Sequence, residues 1–266
     1  MNFFPFKSSY KASPDINLKG RSALVITTSH KTLDTLDKNT NAVLKKGKVT
    51  GVYASEMTEP YYVFLDAGMK VDVASIQGGK IPIEPASLGL FMRTEYDSRF
   101  LKDIGLQQKT RGSKKIDDVD FLSYDIIFMA GGWGAAYDLA QSKTLSKKLS
   151  QAYAQGKVLG GVCHGPVGFV GATKPDGSPL VKGVTMTAVT NRQVKQLGIK
   201  MTPKHPEAEL RKEGANFKYT SKRFIEFFNN HVEVDKKHRI VTGQNQKGGV
   251  EASEKAMELL LEITNS

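Results

Sequence analysis

Short apolar runs rich in β-branched residues alternate with helical stretches along most of this chain, and this alternation restricts its fold more than any other feature. The runs are too continuously apolar for a sheet with one face in water, so both faces of each strand should be covered. Strands and helices that alternate at this spacing predict βαβ units and a mostly parallel sheet with helices on both sides. The predicted strands are residues 23–27, 71–75, 124–130, 157–162, 184–188 and 239–242, and the predicted helices are residues 56–67, 142–155 and 250–263.

Three segments lie outside this alternation. Residues 1–20 are polar, contain two prolines, and are expected to form an irregular arm before a single domain at residues 21–266. Residues 29–48 are polar and rich in lysine, and residues 78–120 are rich in glycine, proline and charge. Each of these two insertions is either a flap over a pocket or a surface insertion without function.

The charge and cysteine content narrow the class of protein. With 38 basic and 27 acidic residues the net charge is +11, which can attract nucleic acid or an anionic surface. The lysines are scattered and no recognition motif accompanies them, so a solvated basic surface is favoured over a nucleic-acid partner. No apolar run predicts a membrane span and the N-terminus lacks a secretory signal, which predicts a soluble cytoplasmic protein. One cysteine excludes an intramolecular disulfide and a thiolate metal cluster.

The segment VLGGVCHGPVG at residues 158–168 carries the strongest chemical signal. A strand enters a turn of small residues with Cys163 at its apex, and Pro166 suits the first turn of a following helix. This is the pattern of a nucleophile elbow, in which glycines relieve crowding around a strained apex residue. Because unpaired N–H groups at a helix start stabilise a thiolate, we expect the pKa of Cys163 to be lowered. The alternative is a buried cysteine that only fills the core.

The segment at residues 124–134 contributes a second set of candidate groups. Its strand ends in Gly131 and Gly132, whose N–H groups are candidates for binding an oxyanion. The next residue, Trp133, is the only tryptophan. It either forms the wall of a pocket or packs beneath a loop.

A carboxylate and a histidine complete the candidates. The segment at residues 50–60 places Glu56 at the start of a helix, which is favourable for any carboxylate, catalytic or not. The residues alone do not separate Glu56 from Glu59. His164 follows Cys163 directly, but neighbours in sequence often point apart.

The motif Cys163-His164-Gly165-Pro166, the pair Gly131-Gly132 and Glu56 together resemble the DJ-1/PfpI superfamily, which is class I glutamine amidotransferase-like. The nearest branch contains heat-inducible chaperones and glutathione-independent glyoxalases (glyoxalase III). The resemblance covers about residues 22–262. It implies a flavodoxin-like three-layer α/β sandwich around a mostly parallel central sheet, and a homodimer.

The resemblance also implies roles for individual residues. Cys163 would be the nucleophile, Glu56 the carboxyl group that contacts its sulfur, and His164 the partner histidine. Gly132 and the Cys163 amide would line the oxyanion site. In glyoxalase-type members the thiolate adds to an aldehyde such as methylglyoxal, a base moves a proton between two carbons, and water releases a 2-hydroxy acid.

Two positions depart from the pattern of the family. Val194 stands where an acidic residue usually orients the histidine, so His164 lacks that support. His205 or Glu207 is a candidate substitute, although the same segment is also typical of an ordinary helix start with early acidic residues. Trp133 stands where the glyoxalase branch often has histidine, which indicates an altered pocket.

The leading functional hypothesis is therefore a cysteine-dependent enzyme that acts on small reactive carbonyl compounds, with no metal or cofactor. A peptidase or amidase of the same superfamily is a variant of this hypothesis. The second hypothesis is a stress-response protein, either a holdase chaperone or an oxidant sensor in which the single cysteine is oxidised. Nucleic-acid binding is supported only by the net charge.

Overall fold

A computed structural model describes residues 15–37, 39–40, 42–199, 202–221 and 229–265, so residues 1–14 of the predicted arm lie outside the described residues. The strands are β1 Ser22–Thr27, β2 Thr35–Leu36, β3 Val43–Lys45, β4 Lys70–Ser75, β5 Lys114–Lys115, β6 Ile126–Met129, β7 Val158–Val162, β8 Thr185–Met186, β9 Asn216–Phe217, β10 Val232–Asp235 and β11 Ile240–Gly243. The helices are α1 Ala54–Asp66, α2 Glu95–Phe100, α3 Ile104–Arg111, α4 Ala135–Asp138, α5 Lys143–Ala154, α6 Asn191–Gln196, α7 Pro206–Lys212 and α8 Gly249–Asn265.

A central sheet with strand order β10-β11-β7-β6-β1-β4-β5 organises the described part of the chain. Its neighbouring strands are parallel except for β10 and β11, which pair antiparallel. Along β1, Val25 packs into the core that α1 and α8 cover, whereas Leu24 and Ile26 pack into the core that α5 covers. Since successive side chains of a strand point to opposite faces, both faces of the sheet are buried. The predicted flavodoxin-like three-layer sandwich is confirmed.

The predicted strands match the sheet at its centre but not at its margins. Five of the six predicted runs form β1, β4, β6, β7 and β11. The run at residues 184–188 was predicted to join them, and this is wrong: β8 pairs with β9 in a separate two-stranded sheet. The two edge strands β5 and β10 were not predicted. Edge strands have solvent on one side, so their polar residues give little hydrophobic signal.

Both insertions contain regular structure, and the second supplies the edge strand β5 of the central sheet. The first insertion contains the β2–β3 hairpin, and the second contains α2, α3 and β5. They follow β1 and β4, so they lie at the carboxyl ends of the parallel strands, where α/β proteins bind ligands. None of the helices among the described residues is long and apolar enough to cross a membrane.

Candidate active site

The turn after β7 holds Cys163 in a strained backbone conformation. Its φ angle is 59°, in the left-handed region that residues other than glycine rarely adopt. The turn is crowded, because a Cβ atom on Gly165 would overlap the carbonyl oxygen of Met129. A glycine is therefore required beside the strained cysteine. The predicted strand–turn geometry of a nucleophile elbow is confirmed.

The helix that follows the turn is shorter than the elbow pattern predicts. Gly165–Phe169 form a single stretch of 3₁₀ helix, with Pro166 in its first two positions as predicted. The chain is already extended at Val170. Because only a few peptide dipoles are aligned, this segment has a much weaker dipole than a full α-helix.

Cys163 lies at a cavity of about 220 Å³ and is 7% exposed. The volume of this cavity is below the range of pockets that bind drug-sized ligands, so the site suits a small molecule. Lys48 from the first insertion and Glu84, Ala86 and Met92 from the second line this cavity. Each insertion therefore contributes at least one residue to the wall of this cavity, and the flap stays a prediction. The other lining residues are Tyr53, Glu56, Gly132, Trp133, His164, Gln193, Leu197, Ile199 and Gln246.

Two side chains converge on the sulfur of Cys163. The Glu56 carboxyl group, in the first turn of α1, forms a hydrogen bond with the thiol. The Nδ1 atom of His164 lies 3.5 Å from Sγ. Thiol, carboxyl group and imidazole thus meet at one atom, as the sequence interpretation anticipated.

Backbone N–H groups surround the same atoms. Those of His164 and Gly132 donate to the sulfur, and those of Gly131 and Gly132 donate to the Glu56 carboxyl group. The Cys163 amide, which was predicted to line the oxyanion site, instead donates to the carbonyl oxygen of Gly243 at 2.9 Å. That prediction is wrong, because the peptide of the strained turn extends the pairing of β7 with its neighbour β11.

Burial raises the pKa of the Cys163 thiol well above its usual range, and the negative charge of Glu56 acts in the same direction. The N–H groups of His164 and Gly132 oppose this shift but do not reverse it. The predicted lowering of the pKa is therefore wrong for the resting site. The short 3₁₀ segment supplies too little dipole to offset the loss of hydration of a buried thiolate.

Burial also raises the pKa of Glu56 to about 8, against the hydrogen bonds from Cys163, Gly132 and Gly131. The carboxyl group is therefore mostly protonated at neutral pH. In that state it can donate a hydrogen bond to the sulfur or to a substrate oxygen. It also carries no negative charge that would repel a thiolate.

His164 is the unprotonated member of the site. Burial lowers its pKa to about 3. The ring of Trp133 packs edge-on against it, with centroids 4.9 Å apart and planes at 67°. Trp133 thus lines the cavity and fixes the imidazole at the same time. The Nε2 atom of His164 is buried and has no hydrogen-bond partner among the described residues.

The structure separates the two candidates for orienting His164. The Glu207 carboxylate accepts hydrogen bonds from the backbone N–H of Asn191 at 2.8 Å and from Nε of Arg211 at 3.0 Å. Its contacts tie α7 to α6 and do not involve His164. His205 interacts electrostatically with His164, and its own Nδ1 atom is buried without a partner in the described ranges. Of the two, only His205 interacts with His164, and no hydrogen bond joins the two rings in the described ranges.

Glu59 has a different task from Glu56, one helical turn away. Its carboxyl group accepts the backbone N–H of Val250 in the first turn of α8. Acceptors at this position satisfy N–H groups that the helix leaves unpaired. Glu59 therefore stabilises the start of α8, and the contact with Cys163 identifies Glu56 as the site carboxylate.

Several cavity residues were not identified from the sequence, chiefly Lys48, Glu84, Gln193 and Gln246. One of them had a usable signal: Gln246 follows the end of β11, on the carboxyl side of the parallel sheet. The others come from insertions and helix starts, which give no chemical pattern. Within the part of the chain that the structure describes, no group of three or more His, Cys, Asp or Glu residues could hold a metal ion.

Comparison with known proteins shows the family of this chain. The model of the DJ-1/PfpI family matches residues 48–259. The chain is 31% identical to the glutathione-independent glyoxalase hsp3101 of Schizosaccharomyces pombe over 80% of its own length and 88% of that protein. It is 30% identical to glyoxalase 3 of Candida albicans, over 78% of this chain and 89% of that protein.

Solved structures give the same result. The crystal structure of Candida albicans glyoxalase III matches with a TM-score of 0.76 and 27% identity, covering 90% of this chain and 97% of that one. The Rapid Encystment Protein 24 KDa of Francisella tularensis matches with a TM-score of 0.78 and 28% identity, covering 90% and 99%. The resemblance inferred from the cysteine elbow is confirmed, and this chain belongs to the DJ-1/PfpI family.

Proposed function

We propose that this protein is a glutathione-independent glyoxalase, which converts 2-oxoaldehydes and water into 2-hydroxy acids. The proposal rests on one observation. The buried sulfur of Cys163 lies next to the protonated carboxyl group of Glu56 and the unprotonated imidazole of His164, in a small cavity. The two relatives compared above bear the names of glyoxalases. Nucleophile, acid and base are the three groups that this reaction requires.

The first step is addition of the Cys163 sulfur to the aldehyde carbon. Because the resting thiol is protonated, His164 accepts its proton through Nδ1 as the carbon–sulfur bond forms. The aldehyde oxygen receives hydrogen bonds from the Gly132 and His164 amides, which face the sulfur. His164 then passes this proton to the aldehyde oxygen, so the product is a neutral hemithioacetal and the imidazole is again unprotonated. Forming the thiolate only at the moment of attack avoids a buried charge in the resting enzyme.

The second step moves hydrogen from the former aldehyde carbon to the neighbouring ketone carbon. His164 removes this proton, and the Glu56 acid donates its own proton to the ketone oxygen while the enediol forms. His164 returns the proton to the second carbon and the hydroxyl group on the first carbon gives its proton to the Glu56 carboxylate, which leaves a thioester of the 2-hydroxy acid. Water cleaves this thioester and regenerates the thiol. One water molecule is consumed, and no external oxidant or reductant is needed.

The proposal is tested directly with methylglyoxal. We expect the purified protein to convert methylglyoxal into lactate in buffer that contains no glutathione, with one lactate formed per aldehyde lost. Lactate measured by an enzyme-coupled assay, beside loss of the dicarbonyl, reports both quantities. If the aldehyde disappears without lactate, the protein binds or scavenges it stoichiometrically and the proposal fails.

His205 is proposed as the residue that orients His164. When Nδ1 of His164 faces the sulfur as acceptor, its Nε2 atom carries the hydrogen. His205 interacts electrostatically with His164, and its Nδ1 atom has no partner among the described residues, so it is available as the acceptor. Burial lowers the pKa of His205 although the charge of Glu209 opposes this shift, so His205 is an unprotonated acceptor at neutral pH.

His205→Leu is expected to lower kcat by about tenfold to a hundredfold and to change KM by less than about twofold, as for removal of a group that supports a catalytic histidine. The wild-type rate should fall on the acid side, below the ordinary histidine pKa of about 6.5, because protonated His205 cannot accept a hydrogen bond. His205→Leu should lack this acid limb. Glu207→Gln is the matched control and should retain both rate and limb; the opposite pattern would assign the role to Glu207.

A holdase activity is a second candidate function. Leu44 in the first insertion and Leu90 and Phe91 in the second have exposed fractions of 66%, 69% and 70%. Large exposed apolar side chains are typical of surfaces that bind unfolded chains. Suppression of client aggregation, measured by light scattering, should not depend on the sulfur of Cys163. The homodimer and the cytoplasmic location stay predictions, which sedimentation and fractionation would test.

A further inference from the structure

Five polar side chains of the cavity lining are not used by the mechanism above, and three of them carry an unpaired buried atom. These three are Gln193 on α6, Gln246 after β11 and Glu84 in the second insertion. Each has a buried polar atom without a hydrogen-bond partner in the described part of the chain: Gln193 Oε1, Gln246 Nε2 and Glu84 Oε2. Gln193 is 1% exposed and Gln246 is 6% exposed. Buried polar atoms are normally paired, so an unpaired set around one cavity points to a ligand.

The side-chain amides of Gln193 and Gln246 can rotate at a low cost in energy. The last torsion of a glutamine side chain is broad, so its amide can turn either its oxygen or its nitrogen toward the cavity. The set offers carboxylate and amide acceptors as well as amide donors. A hydroxyl group both donates and accepts one hydrogen bond, and so can pair with any of the three. A ligand with hydroxyl groups satisfies this mixed set better than a purely cationic or anionic one.

The volume of the cavity exceeds what methylglyoxal needs. At roughly 20 Å³ per heavy atom in a close-packed environment, the five heavy atoms of methylglyoxal fill about half of it. A molecule of about eleven heavy atoms fills the 220 Å³. The apolar side of the cavity is formed by Trp133, Met92, Leu197 and Ile199, which suit the C–H bonds of a carbon chain.

We propose that the preferred substrates are 2-oxoaldehydes of about six carbons, with hydroxyl groups beyond the ketone that bind Gln193, Gln246 and Glu84. This inference rests on the proposed glyoxalase function and names its substrate class. The reaction is unchanged: the aldehyde carbon is oxidised to a carboxyl group, the neighbouring ketone carbon is reduced to an alcohol, and one water is consumed. Sugar-derived dicarbonyls have this chemistry.

The test compares two six-carbon substrates that differ in their hydroxyl groups, 3-deoxyglucosone and 2-oxohexanal. We expect the wild-type kcat/KM to be at least tenfold higher for 3-deoxyglucosone, after correction for the free aldehyde fraction of each. In Gln193→Leu and in Gln246→Leu the ratio of the two values should fall about tenfold. Taking a ratio within each variant cancels any general loss of folding or catalysis.

Gln151→Leu is the matched control, because Gln151 is exposed on α5 and remote from the cavity lining. It should leave the ratio unchanged. A wild-type ratio near one, or equal losses on both substrates in the glutamine variants, overturns the inference while glyoxalase function stands. If neither substrate nor methylglyoxal is converted, the proposed function fails first and the inference fails with it. The wild-type ratio decides the matter even if a variant does not fold.

Discussion

Cys163→Ala is expected to lower kcat with methylglyoxal by at least about 10⁴-fold, to the rate of the buffer alone, because removal of a covalent nucleophile removes the whole reaction path. The sulfur forms the only bond between enzyme and substrate in the proposed mechanism. Neither Glu56 nor His164 can replace it, because both act on protons. Lactate formation at saturating methylglyoxal, followed over hours, measures the residual rate.

The substitution is expected to be mild for folding, which makes the result interpretable. Alanine and cysteine have the same backbone restrictions, so the strain at φ 59° is unchanged. The thermal midpoint should therefore stay within a few degrees of wild type, which corresponds to about 1 kcal/mol. Because the chain has one cysteine, iodoacetamide should inactivate the wild-type protein with a stoichiometry of one. Lactate formation by Cys163→Ala, or by wild-type protein whose thiol is fully alkylated, would remove the sulfur from the mechanism.

The centre of the fold was predictable because its strands are covered on both faces. β1, β6 and β7 are continuously apolar, and such runs have few alternatives to a buried parallel sheet. The edge strand β5 consists of two lysines, and β10 alternates valine with acidic residues. Their pairing is decided by neighbours distant in sequence. A local hydrophobic pattern in the sequence therefore identifies the central strands of this sheet but misses its edge strands.

The reacting atoms of the site were also predictable, since a glycine-flanked apex fixes a backbone that few residues tolerate. Cys163, His164 and Glu56 meet as the elbow and the resemblance implied. The electrostatics were not predictable, because they depend on burial. Sequence places Cys163 at a helix start, but only the structure shows that the helix is one short 3₁₀ stretch and that the thiol is largely covered.

The residues that form the cavity walls could not be predicted from the sequence, for a different reason. Glu84 and Lys48 come from insertions whose composition is that of surface loops, and polar residues are ordinary there. Glu84 differs from a solvated carboxylate in one respect: its buried oxygen has no hydrogen-bond partner in the part of the chain that the structure describes. Part of the cavity wall therefore comes from the segments that carry the weakest sequence signal.

Glu56→Gln is expected to lower kcat by about 10²-fold to 10³-fold, within the range for loss of a general acid. Glutamine keeps the shape and a hydrogen-bond donor but has no proton to transfer. The pKa of Glu56 is raised to about 8, so the group is an acid below that pH and a carboxylate above it. The wild-type kcat should accordingly fall as pH rises through about 8. The variant should lack this alkaline limb, which rates measured from pH 6 to 10 would show.

The substitution Glu56→Gln should lower activity but raise stability at alkaline pH. Burial raises the pKa of Glu56 from 4.5 to about 8, so the folded protein holds this proton more tightly than the unfolded chain does. The free energy of unfolding therefore declines as pH rises across that interval, because a bare carboxylate must be buried. Glu56→Gln removes the titrating group, and its thermal midpoint at pH 9 should exceed that of wild type. A site that gains stability when its acid is removed is one that holds that acid for chemistry.

Glu59→Gln is the matched control, because it makes the same change one helical turn away in the same helix. Glu59 caps α8 and does not touch the sulfur, and burial raises its pKa well above the usual range, so a neutral amide imitates its normal state. The kcat of Glu59→Gln should stay within about threefold of wild type, as for a substitution outside the reacting atoms. Its pH profile should keep the alkaline limb. If both variants lose activity equally, the loss reflects packing between α1 and α8. If Glu56→Gln keeps the limb, another group supplies the proton.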